Sequence, residues 1–180
     1  MNSSSPFLPA SSKTGATPLF WDEVVVPLGD RKVEILLVSD GGALVRTSFG
    51  PLHPGRHRPD DWIHDPKGLA AAASQLEAYS AGELTEFDLP IRPAGTEFQL
   101  GVWRALMQIP YGTTTTYGRI AAQIGHPTGS RAVGAAIGAN PIGIVVPCHR
   151  VIGANGSLTG YAGGLDNKVA LLHLEGVTAL

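Results

Sequence analysis

The chain has 180 residues, 43% hydrophobic and 16% charged, enough for one domain or two small ones with a real core. It holds no apolar run long enough to span a bilayer, and its start lacks the basic-then-apolar order of a secretory signal. Its single cysteine excludes an intramolecular disulfide and any multi-cysteine zinc or iron–sulfur site and suits a reducing, cytoplasmic setting, while the net charge of −2 argues against a binder driven by charge alone.

Residues 1–18, rich in Ser, Pro and Thr, read as a disordered tail. Phe20 to Phe49 reads as a small antiparallel sheet, its β-branched runs broken by hairpin turns at Gly29-Asp30 and Gly41-Gly42. Residues 50–64 read as a Pro-rich loop whose histidines, His53, His57 and His64, lack the spacing of a metal site, so no metal is expected. Asp65-Pro66 has the pattern of an N-cap and first helical residue, opening a helix to about Ser80. Residues 85–91 read as a short strand, and Arg92-Pro93-Ala94-Gly95 as a linker. The expected fold is α+β, with a small N-terminal antiparallel-sheet domain over 19–91 and a helical C-terminal domain over 92–180.

Charge divides unevenly. Residues 1–96 carry eight Lys/Arg against twelve acids, and 97–180 carry five against three, so a nucleic-acid partner would meet the second half. There, Thr96 with Gln99 matches a capping box, and Phe98, Val102, Trp103, Leu106 and Ile109 form the packing stripe of a helix over 97–108. Thr116 caps a short helix to about Ile124, and the turn GHPTGS leads to another from Arg131 to about Gly138. The pair has the outline of a helix-turn-helix or winged-helix-like DNA-binding element, an outline that helix pairs in many proteins that never touch DNA share. The second helix carries interior glycines at 134 and 138, each costing about 1 kcal/mol against Ala. Its only charge, Arg131, sits at the end where the helix dipole disfavours a cation. Two readings stay open: close helix packing with a solvated Arg131, or close approach to another surface.

Ile144, Val145 and Val146 read as a buried strand that ends at Pro147 and delivers Cys148 and His149. A lone cysteine is ordinarily a small core residue. Here a histidine follows it, Arg150 adds charge that favours thiolate, and Pro147 forces the backbone to turn. A glycine-rich loop follows, with a turn at Ala154-Asn155-Gly156. Asp166 then caps a last helix with Val169, Leu172 and Leu171 or Leu174 on its apolar face. Glu175 stands at that helix's C-terminal end, where the dipole opposes a carboxylate by roughly 0.3–1 kcal/mol. Such a broken local rule marks functional positions. Cysteine, histidine and acid make a nucleophile, a base and an orienting group, without saying what is attacked.

The run PCHRV, with Asn140-Pro141 before it and Tyr161-Ala162-Gly163-Gly164 after it, resembles the methylated-DNA–protein-cysteine methyltransferases, the O6-alkylguanine-DNA alkyltransferases. The likeness extends through FQLGVWRALMQIPYGTTTTYGRIA and RAVGAAIGANP to HLEG, dense over 97–176 and only in layout over 20–95. It implies irreversible, single-turnover transfer of an alkyl group from O6 of guanine, and less efficiently O4 of thymine, to Cys148. By the same resemblance His149 is the base acting through a water, Glu175 orients it, and Asn140 is the hinge between recognition helix and active-site turn. Tyr117 helps rotate the target nucleotide out, Arg131 fills the vacated stack, and Val151, Tyr161 and Ala162 line the base pocket. The implied partner is double-stranded DNA bound through the minor groove by a monomer, with no cofactor; cooperative assembly on DNA is left open. Some members bind zinc through N-terminal cysteines and histidines, a site that cannot be present in that form with Cys148 the only cysteine, while Ala162 and Gly143 stand where some members have serine and proline. A turnover Cys-His hydrolase or acyltransferase is one alternative, weakened by the helix pair with its lone Arg131. A non-catalytic binder of alkylated DNA is another, and Cys148 counts against it.

Overall fold

The computed structural model describes residues 6–9, 17–50 and 59–178, which fall into two compact units, Met1–Ala94 and Gly95–Leu180. In the first, β1 (Phe20–Leu28) and β2 (Arg31–Ser39) pair antiparallel along their full length around Gly29-Asp30, where Gly29 takes a φ of 65° that costs glycine little. β3 (Leu44–Phe49) adds antiparallel to β2 after a turn in which Asp40 Oδ1 accepts from the backbone N–H groups of Gly42 and Ala43. The sheet order is β3-β2-β1-β4, with the short β4 (Ile63–His64) parallel to β1. All of Ile35–Val38 are buried, so both faces of β2 are covered. α1 (Ala70–Ser80) packs on β1 and buries Ala72, Leu76 and Tyr79, at helical spacing.

His64, expected in a loop, belongs to β4, where its Nε2 meets Asp22 Oδ1 at 3.1 Å and its ring lies against Trp21; His53 and His57 fall outside the described residues. Asp65 caps a turn, not the helix: its Oδ1 accepts from Gly68 N–H at 3.0 Å, and α1 begins only at Ala70. Residues 85–91 form no ladder apart from Ile91. Pro90 has no N–H to contribute, and the Gln75 side chain takes both backbone groups of Asp88, at 2.9 and 2.8 Å, in place of a neighbouring strand. Ile91 bridges Leu44 on one side and Phe7 on the other, with Leu8 N–H donating to its carbonyl at 2.8 Å. Arg92 remains bound into this unit through Leu44 O and an ion pair with Asp40.

In the second unit, α2 (Glu97–Leu106) carries the full capping box between Thr96 and Gln99 and buries Val102, Trp103, Ala105 and Leu106. It ends two residues earlier than its stripe suggests, tightening into turns at Gln108 and Ile109. β5 (Thr115–Thr116) leads into α3 (Tyr117–Gln123), where the Thr116 hydroxyl accepts from Arg119 N–H at 3.3 Å. A turn with Gly125 at φ 78° joins α3 to α4 (Ser130–Gly138). α2, α3 and α4 pack on one another, and Trp103 Nε1 donates to the Ala136 carbonyl at 2.9 Å, one of the helix-end carbonyls of α4 that has no partner within the helix. β6 (Val151–Ile152) pairs parallel with β5 and ties the start of the helix pair to the segment after Cys148. α5 (Leu165–Leu174) starts from Gly164 at φ 89°, so Asp166 lies inside its first turn and does not cap it. The fold class is α+β. No helix among the described residues is long and apolar enough to cross a membrane.

Candidate active site

The site begins where α4 ends. Asn140 lies just past the helix, and its Oδ1 accepts from Ile142 N–H at 3.0 Å. That bond fixes the amide's orientation, leaving Nδ2 to donate to the Val146 carbonyl at 2.9 Å and to Cys148 Sγ at 3.2 Å. The intervening Ile144-Val145-Val146 run is buried as expected, but it is a turn and not a strand. Val145 N–H donates to Gly143 O and Val146 N–H to Ile142 O, so the backbone satisfies itself without a ladder. Ile144 sits at φ 69°, a conformation that costs a β-branched residue on the order of 1–3 kcal/mol.

Pro147 then opens a single 3-10 turn, Cys148–Arg150, all three residues of which are buried. His149 Nε2 stands 2.9 Å from Glu175 Oε1, at the C-terminal end of α5. Arg150 Nε and Nη2 grip the same carboxylate, Nε reaching Oε2 and Nη2 reaching Oε1, each at 2.9 Å, while Nη1 donates to Ile109 O at 2.6 Å. Gly112 N–H supplies a further bond to Oε2 at 3.2 Å. The dipole cost inferred for Glu175 is therefore offset by a guanidinium, an imidazole and a backbone donor. Arg150 spends its charge here, contrary to the expectation that it serves the thiol: its fork matches a carboxylate, and Glu175 is the buried carboxylate within reach.

Burial pushes the Cys148 thiol up, opposed by the Asn140 hydrogen bond and by the Lys168 ammonium. Burial also holds His149 below its ordinary value, although the Glu175 carboxylate pulls the other way. Lys168 is itself fully buried and depressed by burial, its Nζ donating to Val151 O at 2.7 Å and Thr159 O at 3.0 Å. Among the described residues, no group of His, Cys, Asp and Glu is arranged to hold a metal.

The fold thus brings Asn140 onto Cys148 and Glu175 onto the adjacent His149, two bonded pairs on one turn. Val151 follows directly and is buried in β6, its carbonyl held by Lys168. Tyr117, the first residue of α3, donates to Thr159 O at 3.2 Å, and a methyl built at Gly134 of α4 would stand 3.7 Å from its ring. Tyr161 is half-buried and Ala162 exposed in the glycine-rich loop. Arg131 stands apart: it is exposed in the first turn of α4, makes no ion pair among the described residues, and shares an exposed surface with Ala132, Ala135 and Gly138.

Comparison with known proteins identifies the family. Residues 97–177 match the family model described as 6-O-methylguanine DNA methyltransferase, DNA binding domain. A methylated-DNA–protein-cysteine methyltransferase of Methanosarcina acetivorans is 56% identical over 142 residues, 79% of this chain and 91% of that protein. The chain belongs to the methylated-DNA–protein-cysteine methyltransferase family. Among solved structures, the O6-methylguanine methyltransferase of Mycobacterium tuberculosis superposes with a TM-score of 0.77 at 46% identity, covering 90% of this chain and 95% of that one. The same organism's enzyme crystallised with DNA gives 0.76 at 48% identity over 87% and 92%.

For this methyltransferase-family chain, sequence reasoning missed Lys168, Gly112, Thr159 and the true partner of Arg150. Lys168 had a visible signal: it shares a helical face with Leu171, Leu172 and Glu175, so a lysine occupied a position that periodicity assigns to the core. Gly112 and Thr159 act through backbone atoms, which no side-chain pattern reports.

Proposed function

We propose that this chain repairs DNA by direct reversal, taking the alkyl group from O6 of guanine, and less efficiently from O4 of thymine, onto the sulfur of Cys148. The observation that carries this reading is the pair of contacts Asn140–Cys148 and His149–Glu175 on adjacent residues of one turn, built into the same unit as a helix-turn-helix whose exposed surface is small-sided and bears one arginine. With Nε2 occupied by Glu175, Nδ1 of His149 is the nitrogen that takes the thiol proton, by way of a water. The thiolate attacks the alkyl carbon, the S–C bond forms as the C–O6 bond breaks, and the guanine leaves with the electron pair and regains a proton. Water does not cleave a thioether, so each molecule acts once.

Cys148 is buried, so the target base must leave the duplex to reach it. α4 enters the minor groove, where Ala132, Ala135 and Gly138 permit close approach and Arg131 fills the space the base vacates. Tyr117 exchanges its Thr159 contact for the target nucleotide and crowds its phosphate. Val151, Tyr161 and the Ala162 N–H line the pocket. The protein acts as a monomer in the cytoplasm, where a lone thiol stays reduced. Replacing Cys148 tests this: Cys148→Ala should bind an alkylated duplex and transfer nothing, and residual transfer would put the nucleophile elsewhere.

A further inference from the structure

We propose that Arg150 sets the protonation state of His149: by holding both carboxylate oxygens of Glu175, it keeps the histidine a neutral base. The proposal deepens the function above, because it concerns the base of that transfer. Glu175 Oε1 is shared between His149 Nε2 and Arg150 Nη2, both at 2.9 Å, and the His149 and Glu175 side chains are fully buried. A bare carboxylate at that distance would favour a proton on the imidazole, since an opposite charge within hydrogen-bond reach stabilises the charged form. A protonated imidazole cannot accept the thiol proton. With the guanidinium fork in place the carboxylate is already neutralised, and the imidazole meets an acceptor without meeting a net charge.

The groups facing this pair are few. Lys168 of α5 lies on the thiol side and disfavours a proton on His149, as Arg150 does, leaving Glu175 as the one charge that favours it. Cys148 is the neighbour on the same turn. Tyr111, from the turn after α2, donates to Leu174 O at 3.0 Å, and the Arg150 guanidinium lies 5.8 Å from its ring centre, closing the far side of the ion pair. Burial pushes the Tyr111 phenol up, so that neighbour stays uncharged.

The test uses the full chain and reads His149 directly by NMR titration of its ring protons, assigned by comparison with His149→Gln. Arg150→Met removes charge and hydrogen bonds together; Arg150→Gln keeps a donor and loses the charge, which guards against a variant that does not fold. Both should raise the His149 titration midpoint by about one pH unit or more. Transfer from an O6-methylguanine duplex at neutral pH should fall, and raising the pH should recover it. Arg150→Lys should bring the midpoint back toward the wild-type value. A merely structural role would lower the rate equally at every pH with the midpoint unmoved, and protonation of Glu175 in place of His149 would likewise fail to raise that midpoint; an unmoved midpoint in folded Arg150→Gln overturns the proposal. The titration does not depend on alkyl transfer, so a failure of the repair reading would show separately, as wild-type protein that titrates as described but removes no methyl group.

Discussion

Asn140 donates to the sulfur of Cys148 at 3.2 Å, and the same amide ties down both ends of the turn between them, accepting from Ile142 N–H and donating to Val146 O. One side chain thus joins the end of the exposed helix to the proposed nucleophile and holds Ile144 in its strained conformation. Asn140→Ala should destabilise the protein by on the order of 3 kcal/mol, from orphaned buried backbone groups in a turn that is no longer over-determined. Chemical unfolding measures this, and alkylation by a small thiol reagent should change as well. An unchanged thiol reactivity would mean the contact to sulfur is incidental.

Gly112 combines a φ of 72° with a donor to Glu175, and a methyl built there would meet the Glu175 carbonyl at 2.9 Å. Gly112→Ala should cost roughly 1–3 kcal/mol and displace the carboxylate, slowing transfer more than the stability loss alone accounts for. The melting temperature and the single-turnover rate check it; if both match wild type, the turn after α2 does not support Glu175.

Trp103→Phe preserves most of the buried ring and deletes the bond to the Ala136 carbonyl. The expected loss is about 1–2 kcal/mol in urea unfolding. Rates on free alkylguanine should barely change, since α4 carries no proposed catalytic atom. A larger fall on the free base than on duplex DNA would contradict this division.

Arg131→Ala removes the one charged side chain from the exposed surface of α4. Repair of an alkylated duplex should slow far more than reaction with the free base, because only the duplex has a vacated stack to fill. Equal slowing of both would remove Arg131 from the flipping step.

Burial holds His149 below its ordinary value of 6.5, so folding favours its neutral form. The unfolded chain binds the proton first as pH falls, so the contribution of His149 to stability is complete above 6.5 and is lost below it. The loss approaches about 1.4 kcal/mol per pH unit for this group. Unfolding free energies between pH 7 and 5 should therefore fall more steeply for wild type than for His149→Gln, and parallel curves would place the acid sensitivity elsewhere.

Features encoded locally were legible in the sequence. The Thr96–Gln99 capping box, the stripe on α2, the Thr116 cap and both helices of the helix-turn-helix depend on neighbours within one or two turns. Ile144–Val146 reads as a strand because a buried turn and a buried strand present the same apolar run, and the Asn140 amide decides between them. Neither Asp65 nor Asp166 is an N-cap: capping chemistry serves a turn at Asp65, and an acid also suits the first turn of a helix, where Asp166 lies. The partner of Arg150 lies 25 residues away in sequence, beyond the reach of any local rule. The cysteine, histidine and acid are identifiable by type, whereas Lys168 is legible only through its place on the buried face of α5.

The most direct test of the account is the intact mass of the protein after mixing it in excess with a duplex carrying one O6-methylguanine. Loss of the lesion should be matched one for one by a gain of one methylene on the peptide containing Cys148, with no second round from the same molecule. Removal of the lesion with no mass gain on that peptide would contradict a suicide transfer to Cys148.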